Sequence, residues 1–351
     1  MSRLATFFVK QYRRLQDLDL ENLSKVNLFV GPNNCGKTSV LEAISLALPI
    51  DSADPHIFVE MLVARYHEIN LNMFKNMFTL NEKPYIEIAW KIDTDKNFIK
   101  TYIDYTVESI LNEVGKSNIN KIEYNFQYEQ ETSSKKDSIK LIFNKLDKGH
   151  SLRKQTIDNK VIDFKIPYNY LSFSRFDMAD NLLKNIDKLL EKNKRQDLIN
   201  ALNIFDKDII NFEIIGEDRT IQIFNKKCDK PLSLYDYGNG MYRTFFIITA
   251  ALLSKDGILL IDEIEAGIHI KALKRFISNL LNVCQVNNVQ LFMTTHSLDA
   301  VDTILEDCND EKCLEDISIY HLRNTDKQTV ARRYSGTRML ELRENIGFDV
   351  R

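Results

Sequence analysis

The 351 residues are 44% hydrophobic and 28% charged with a formal net charge of -3, an ordinary globular balance with length for about two domains. No apolar run reaches the roughly 18 residues of a membrane span, and the opening "MSRLATFFVKQYRR" lacks a secretory apolar region and cleavage site, so a soluble, cytoplasmic chain without membrane association is expected. The five cysteines, Cys35, Cys228, Cys284, Cys308 and Cys313, are odd in number and scattered, which argues against a disulfide framework and reads as reduced packing residues.

In chain order, "ATFFVKQY" and "LDLENL" read as short strands, and "KVNLFVG" as an apolar strand ending at a glycine loop. "KTSVLEAISLAL" has helical spacing and stops before Pro49. From residue 84 to 164, "YIEIAWKI", "FIKTYIDYTV", "KIEYNFQYE" and "SIKLIFNKL" alternate with period two between polar turns, which predicts an antiparallel insertion. Residues 180–205 carry a leucine and isoleucine stripe at helical spacing, read as an arm projecting from the core. From Asp208 the order becomes strand, strand, helix, strand, helix, strand, helix, with "GILLIDE" and "VQLFMTTHS" as buried parallel strands. The expected division is therefore 1–83 and 208–351 as two parts of one α/β core, split by 84–207. Charge is uneven: residues 135–195 hold 15 Lys and Arg against 8 acids, and residues 299–316 hold 8 acids against one lysine. Each stretch reads either as a solvated face or as a docking surface, basic for nucleic acid or acidic for a protein.

Four motifs carry chemistry. "GPNNCGKT", Gly31, Pro32, Asn33, Asn34, Cys35, Gly36, Lys37 and Thr38, satisfies G-x-x-x-x-G-K-[ST] and with Ser39 opens a helix. Loop amides and the helix N-terminus face phosphate oxygens, Lys37 reaches the β and γ phosphates, and the Thr38 hydroxyl suits Mg2+. "ILLIDEIEAGIH" delivers Asp262 and Glu263 at the end of an apolar strand. Successive side chains diverge, so one acid serves the magnesium shell and the other polarises the attacking water; taken alone, the pair also fits a helix cap. "TTHS" places His296 after another strand, either as a structural histidine or as a γ-phosphate contact. "YDYGNGMYR" puts Gly238, Asn239 and Gly240 at a helix start with Arg243 one turn in, either a plain turn or an anion site for the nucleotide of another subunit.

These motifs, in this order, resemble the ABC-type ATPase heads of the OLD-like AAA group, related to RecF and SMC heads. "FVKQYRRLQDLDLENLSKVNLFVGPNNCGKTSVLEAI" resembles the family opening, "GNGMYR" its signature motif, "LLIDEIEAGIH" Walker B with the D-loop, and "TTHS" the switch-histidine segment. Ile264 and Ile270 stand where the family commonly has prolines, and Tyr237 and Asp236 precede Gly238 instead of a serine-led sequence. The resemblance implies a P-loop NTPase of α/β class with a mixed or parallel core sheet, an antiparallel β subdomain and a helical arm. It implies ATP and Mg2+ as cofactors, Thr38 and Asp262 as metal ligands, and Glu263, Lys37 and His296 as catalytic residues. It also implies a homodimer, or a higher homo-oligomer, whose heads sandwich two ATP molecules between Gly31–Thr38 of one copy and Gly238–Arg243 of the other, with Arg13 and Arg14 near the nucleotide. The 55 residues after His296 read as two strands and a helix without the acids of a Toprim nuclease. That arrangement resembles the ATPase component of two-gene bacterial anti-phage systems such as PARIS, a sensor and scaffold holding a separate effector. A RecF-like repair ATPase that binds DNA is the alternative.

Overall fold

A computed structural model of the chain describes residues 3–48, 85–94, 98–111, 117–130, 136–146, 149–157, 166–171, 178–308, 310–325 and 328–350. Its centre is a six-stranded sheet in the order β16 (Thr329–Ser335), β15 (Ile317–Asn324), β3 (Val26–Val30), β14 (Gln290–Thr294), β13 (Ile258–Ile261), β9 (Tyr168–Leu171). All neighbours pair in parallel except β15 with β16. Both faces of this sheet are covered, which is why its central strands are continuous apolar runs: Phe29, Leu260 and Phe292 enter one core, Leu28, Ile261 and Met293 the other.

The first core is closed by α1 (Lys37–Ala47) and a seven-stranded antiparallel sheet in the order β2 (Leu15–Leu20), β1 (Leu4–Tyr12), β4 (Tyr85–Ile92), β5 (Ile99–Leu111), β6 (Ser117–Gln130), β7 (Lys136–Leu146), β8 (Gly149–Ile157). The period-two segments after residue 84 thus extend the sheet that β1 and β2 begin. Buried Trp90 donates from Nε1 to Thr101 Oγ1 at 3.0 Å, and that hydroxyl donates to Ala47 O at 3.1 Å. The otherwise orphaned end of α1 is thereby fastened to β4 and β5.

The second core holds α2 (Met178–Glu191), α3 (Arg195–Leu202), α4 (Asn239–Leu253), α5 (Ile270–Val286), α6 (Leu298–Glu306) and α8 (Gly336–Ile346), with a small sheet β10 (Ile209–Ile215), β11 (Thr220–Asn225), β12 (Leu232–Ser233). The helical stretch expected as a projecting arm instead lies on the core. Leu182, Ile186, Leu189, Leu198 and Leu202 are buried against the residues of α4. β9, inside the expected insertion, is an edge of the central sheet. The stripe that suggested an arm is the face these helices bury.

One further expectation is corrected. Cys308, ahead of the short helix α7 (Glu311–Glu315) capped by Asp310, is joined as a disulfide to Cys313 within that helix, with Cα atoms 5.4 Å apart; Cys35 and Cys284 are free and buried, Cys228 free and exposed. The acidic stretch 299–316 is largely a solvated face, with Asp299, Glu306, Asp310, Glu311 and Glu315 exposed, and several of its acids also bond within the chain. Asp302 forms a two-point pair with Arg343 at 2.7 Å, Glu306 meets Lys274 at 2.9 Å, Asp307 accepts from Ser278, Asp310 caps α7, and Asp316 pairs with Lys25. Of the basic stretch 135–195, most side chains before residue 182 lie outside those described. No helix among the described residues is long and apolar enough to cross a membrane.

Candidate active site

β3, β14 and β13 lie side by side and parallel, so the segments following them open at one edge of the sheet, where open α/β sheets bind ligands. The loop after β3 needs its glycines: Gly31 has φ 139°, and a Cβ there would lie 2.3 Å from the backbone oxygen of Leu322 on β15. Asn34 and Gly36 also take positive φ. α1 begins after Gly36 without a side-chain cap, leaving first-turn amides as an anion cradle. Pro32, Asn33 and Asn34 are exposed, whereas Gly31, Cys35, Lys37 and Ser39 are buried. Lys37 Nζ donates to Gly31 O at 2.7 Å and Pro32 O at 2.8 Å and lies 3.8 Å from Cys35 Sγ. Burial pushes the Lys37 pKa down and the Cys35 thiol up.

Asp262 and Glu263 have opposite surroundings. Asp262, 8% exposed, accepts from Thr38 Oγ1 at 3.0 and 3.2 Å and from Thr294 Oγ1 at 2.6 Å. Burial raises its pKa to about 6 against the pull of those two hydroxyls. Glu263 is exposed and stands at φ 50°, a left-handed turn uncommon outside glycine. Its N–H donates to Thr294 Oγ1 at 2.7 Å, and its carbonyl accepts from Ala266 N–H at 3.0 Å and from the Arg243 guanidinium. The strand end thus separates one buried acid on Thr38 from one acid open to solvent, the division that metal binding and water activation require.

His296 is half-buried after β14; burial, then the charge of Lys37, lowers its pKa, favouring the neutral ring. Thr38, Asp262, Lys37, Glu263 and His296 are therefore brought to one place. Gly238 and Asn239 are exposed. Gly238 has φ 88°, open space where a Cβ would sit, and caps α4 with no side-chain bond. Arg243, however, is 6% exposed and turned inward onto its own chain's Glu263 carbonyl. Burial lowers its pKa to about 10, opposed by the charges of Glu265, Glu263 and Asp262. Arg13 is paired with Glu42 of α1 at 3.4 Å and donates to Tyr12 Oη at 3.0 Å, while Arg14 is exposed.

Four residues that spacing did not single out support this site: Thr294 between the two acids, Glu265 bonded to the histidine loop, Glu42 within α1, and Asn324, whose Nδ2 donates to Asn34 O at 3.0 Å. Thr294 stands inside "TTHS" and Glu265 inside "DEIEAG", so motif position was the available signal for these two; Glu42 and Asn324 carried none.

Over 96% of its length the chain is 21% identical to a protein of Helicobacter pylori (strain ATCC 700392 / 26695) named ATP/GTP phosphatase, covering 97% of that protein. Among solved structures, an SMC head bound to the C-winged helix domain of ScpA superposes with TM-score 0.52 at 12% identity, covering 96% of this chain and 99% of that one. An SMC head from Pyrococcus furiosus with an extended coiled coil, bound to the C-terminal domain of ScpA, gives TM-score 0.51 at 10% identity, with 99% and 100% covered. These likenesses establish a P-loop NTPase fold of SMC-head type. The model of the AAA ATPase domain family matches residues 3–301, and the protein belongs to that family and is an ATPase.

Proposed function

We propose that this ATPase is a nucleotide-gated switch in which two copies close on ATP and hydrolysis reopens them, controlling a separate effector protein in bacterial anti-phage defence. One observation carries the dimer. The Gly238–Gly240 helix start is exposed at Gly238 and Asn239 and has no side-chain cap, while Gly238 N–H is already bonded to Tyr235 O at 3.0 Å, so the amides of Asn239 and Gly240 would be the ones to meet an anion, which in this reading belongs to another copy. Gly31–Thr38 and Ser39 would hold the phosphates, with Lys37 charge-neutralising and His296 at the γ phosphate. Arg243 enters this reading as the brace of the Glu263 turn, because its guanidinium is already spent on that carbonyl.

Mg2+ fits the oxygens present. The Thr38 hydroxyl and Asp262 carboxylate are hard donors already within hydrogen-bond distance, and among the described residues no group of three or more His, Cys, Asp or Glu could hold a metal. A cation that keeps its waters and takes one carboxylate plus phosphate oxygens suits that pair. Bound there, it would neutralise charge developing on the phosphates. Glu263, exposed beside it, would orient and deprotonate water.

Effector docking would use the antiparallel strands of the 84–207 segment or the exposed acids of 299–316. The DNA-binding repair reading rests on the basic stretch 135–195, and salt-dependent duplex binding would favour it. The test is Glu263→Gln. Turnover of ATP, and of GTP, should fall about 10²–10⁴-fold, as for loss of a general base, while Mg·ATP accumulates a dimer in solution scattering. Unchanged turnover removes Glu263 as base. ATP-loaded single protomers with the Gly238 turn solvent-exposed remove the dimer.

A further inference from the structure

The turn after β13 and the loop after β14 are joined by one carboxylate. Glu265 Oε1 accepts the His296 N–H at 2.8 Å, and Glu265 Oε2 accepts the Thr295 hydroxyl at 2.7 Å. Two donors of one dipeptide converge on two oxygens of one side chain, which fixes orientation as well as distance. The loop has few other supports. Thr295 N–H reaches Phe29 O at 3.2 Å, and Ser297 N–H reaches Thr295 Oγ1 at 3.0 Å, so the second of these hangs on the hydroxyl that Glu265 orients. On its other side Glu265 is the leading opposing charge for Arg243, whose guanidinium holds the Glu263 carbonyl. The left-handed backbone of Glu263 and the Ile268 N–H to Glu265 O bond at 3.1 Å turn the chain back so that Glu265 faces β14.

We infer that Glu265 is a positioning residue for hydrolysis: it aims His296 at the phosphate loop and links the histidine loop to the Glu263 turn. This rests on the reading of His296 as a γ-phosphate contact. A 1 Å displacement of such a contact costs up to about 100-fold in rate, whereas nucleotide held by the amides of residues 31–38 does not depend on Glu265.

The experiment compares Glu265→Ala, Glu265→Gln, Thr295→Val and His296→Ala in the full chain. It measures kcat and KM for Mg·ATP, and the Kd of a fluorescent ADP. E265A should lower kcat about 10-fold or more with the Kd for ADP within about 3-fold of the parent. E265Q should recover most of kcat, because its amide oxygen still accepts from His296 N–H and its NH2 can donate to the Thr295 hydroxyl. T295V should lie between, and adding it to E265A should cost nothing more. If H296A loses turnover and E265A does not, the inference fails while the histidine reading stands; if H296A keeps full turnover, both fall. Equal losses of kcat and of ADP affinity in E265A mark a general structural role and overturn the inference. Should E265A not fold, T295V decides: full turnover overturns the proposal, and lowered kcat with intact ADP binding supports it.

Discussion

Replacing Thr294 with valine keeps the shape of a fully buried side chain and deletes the hydroxyl shared by the two acids. Two bonds go: the charge-assisted one to Asp262 at 2.6 Å and that from Glu263 N–H at 2.7 Å. Asp262 keeps Thr38, and the part-buried Glu263 N–H can recruit water, so the loss is about 2–4 kcal/mol at pH 8. The hydroxyl supports the charged carboxylate, whose pKa is already raised to about 6 by burial. At pH 5 Asp262 is mostly protonated, and the cost should shrink by about 1 kcal/mol, the gap between charge-assisted and neutral hydrogen bonds. Urea denaturation of both proteins without nucleotide at the two pH values measures this. A cost equal at pH 5 and pH 8, or below about 0.5 kcal/mol at both, refutes the argument that Thr294 bridges the acids.

Asp262 itself should tilt stability with pH. Its folded pKa of about 6 exceeds the ordinary 3.8, so the folded state binds the extra proton. The benefit is complete below pH 3.8 and lost as pH rises through 6, about 3 kcal/mol in all. Asp262→Asn should flatten that part of the stability curve, and a slope unchanged in the variant would assign it elsewhere. Magnesium should invert the preference, because it needs the carboxylate: Mg2+ affinity in the presence of nucleotide, titrated by calorimetry, should fall about tenfold per pH unit below 6. Gly31→Ala combines a disfavoured φ with a clash on Leu322 O and should cost about 2–5 kcal/mol, read as a lowered melting temperature. A variant as stable as the parent would place that loop elsewhere.

The central strands β13 and β14 were legible because a strand covered on both faces has to be apolar throughout, as "ILLI" and "QLFMT" are. The phosphate loop was legible because its glycines answer a steric demand visible at Gly31. β9 was not: "YNYL" is four residues with an asparagine inside, and what makes it a strand is β13 beside it. The stripe over 180–205 announced a buried face without naming what covers it, and α4 proved to be the cover. Arg243 read as a phosphate ligand from its place near a helix start; that it turns to Glu263 depends on a fold that brings together residues 20 positions apart. Glu265 and Thr294 act across about 30 positions, beyond any local pattern. The cysteine pair escaped notice because five in number left no even framework, while a capped turn sufficed to join two of them.

The roof over Gly31 is strand β15, about 290 positions later in the chain. A ribosome adding about 5–20 residues per second needs about 15–60 s to travel that distance. Throughout that interval the nascent loop lacks its ceiling, and for most of it the acids and the histidine as well, so nothing yet holds the backbone at Gly31. The seated form of this loop, with its positive-φ glycine pressed under Leu322 O, is therefore a late product of synthesis, completed only when nearly the whole chain has emerged.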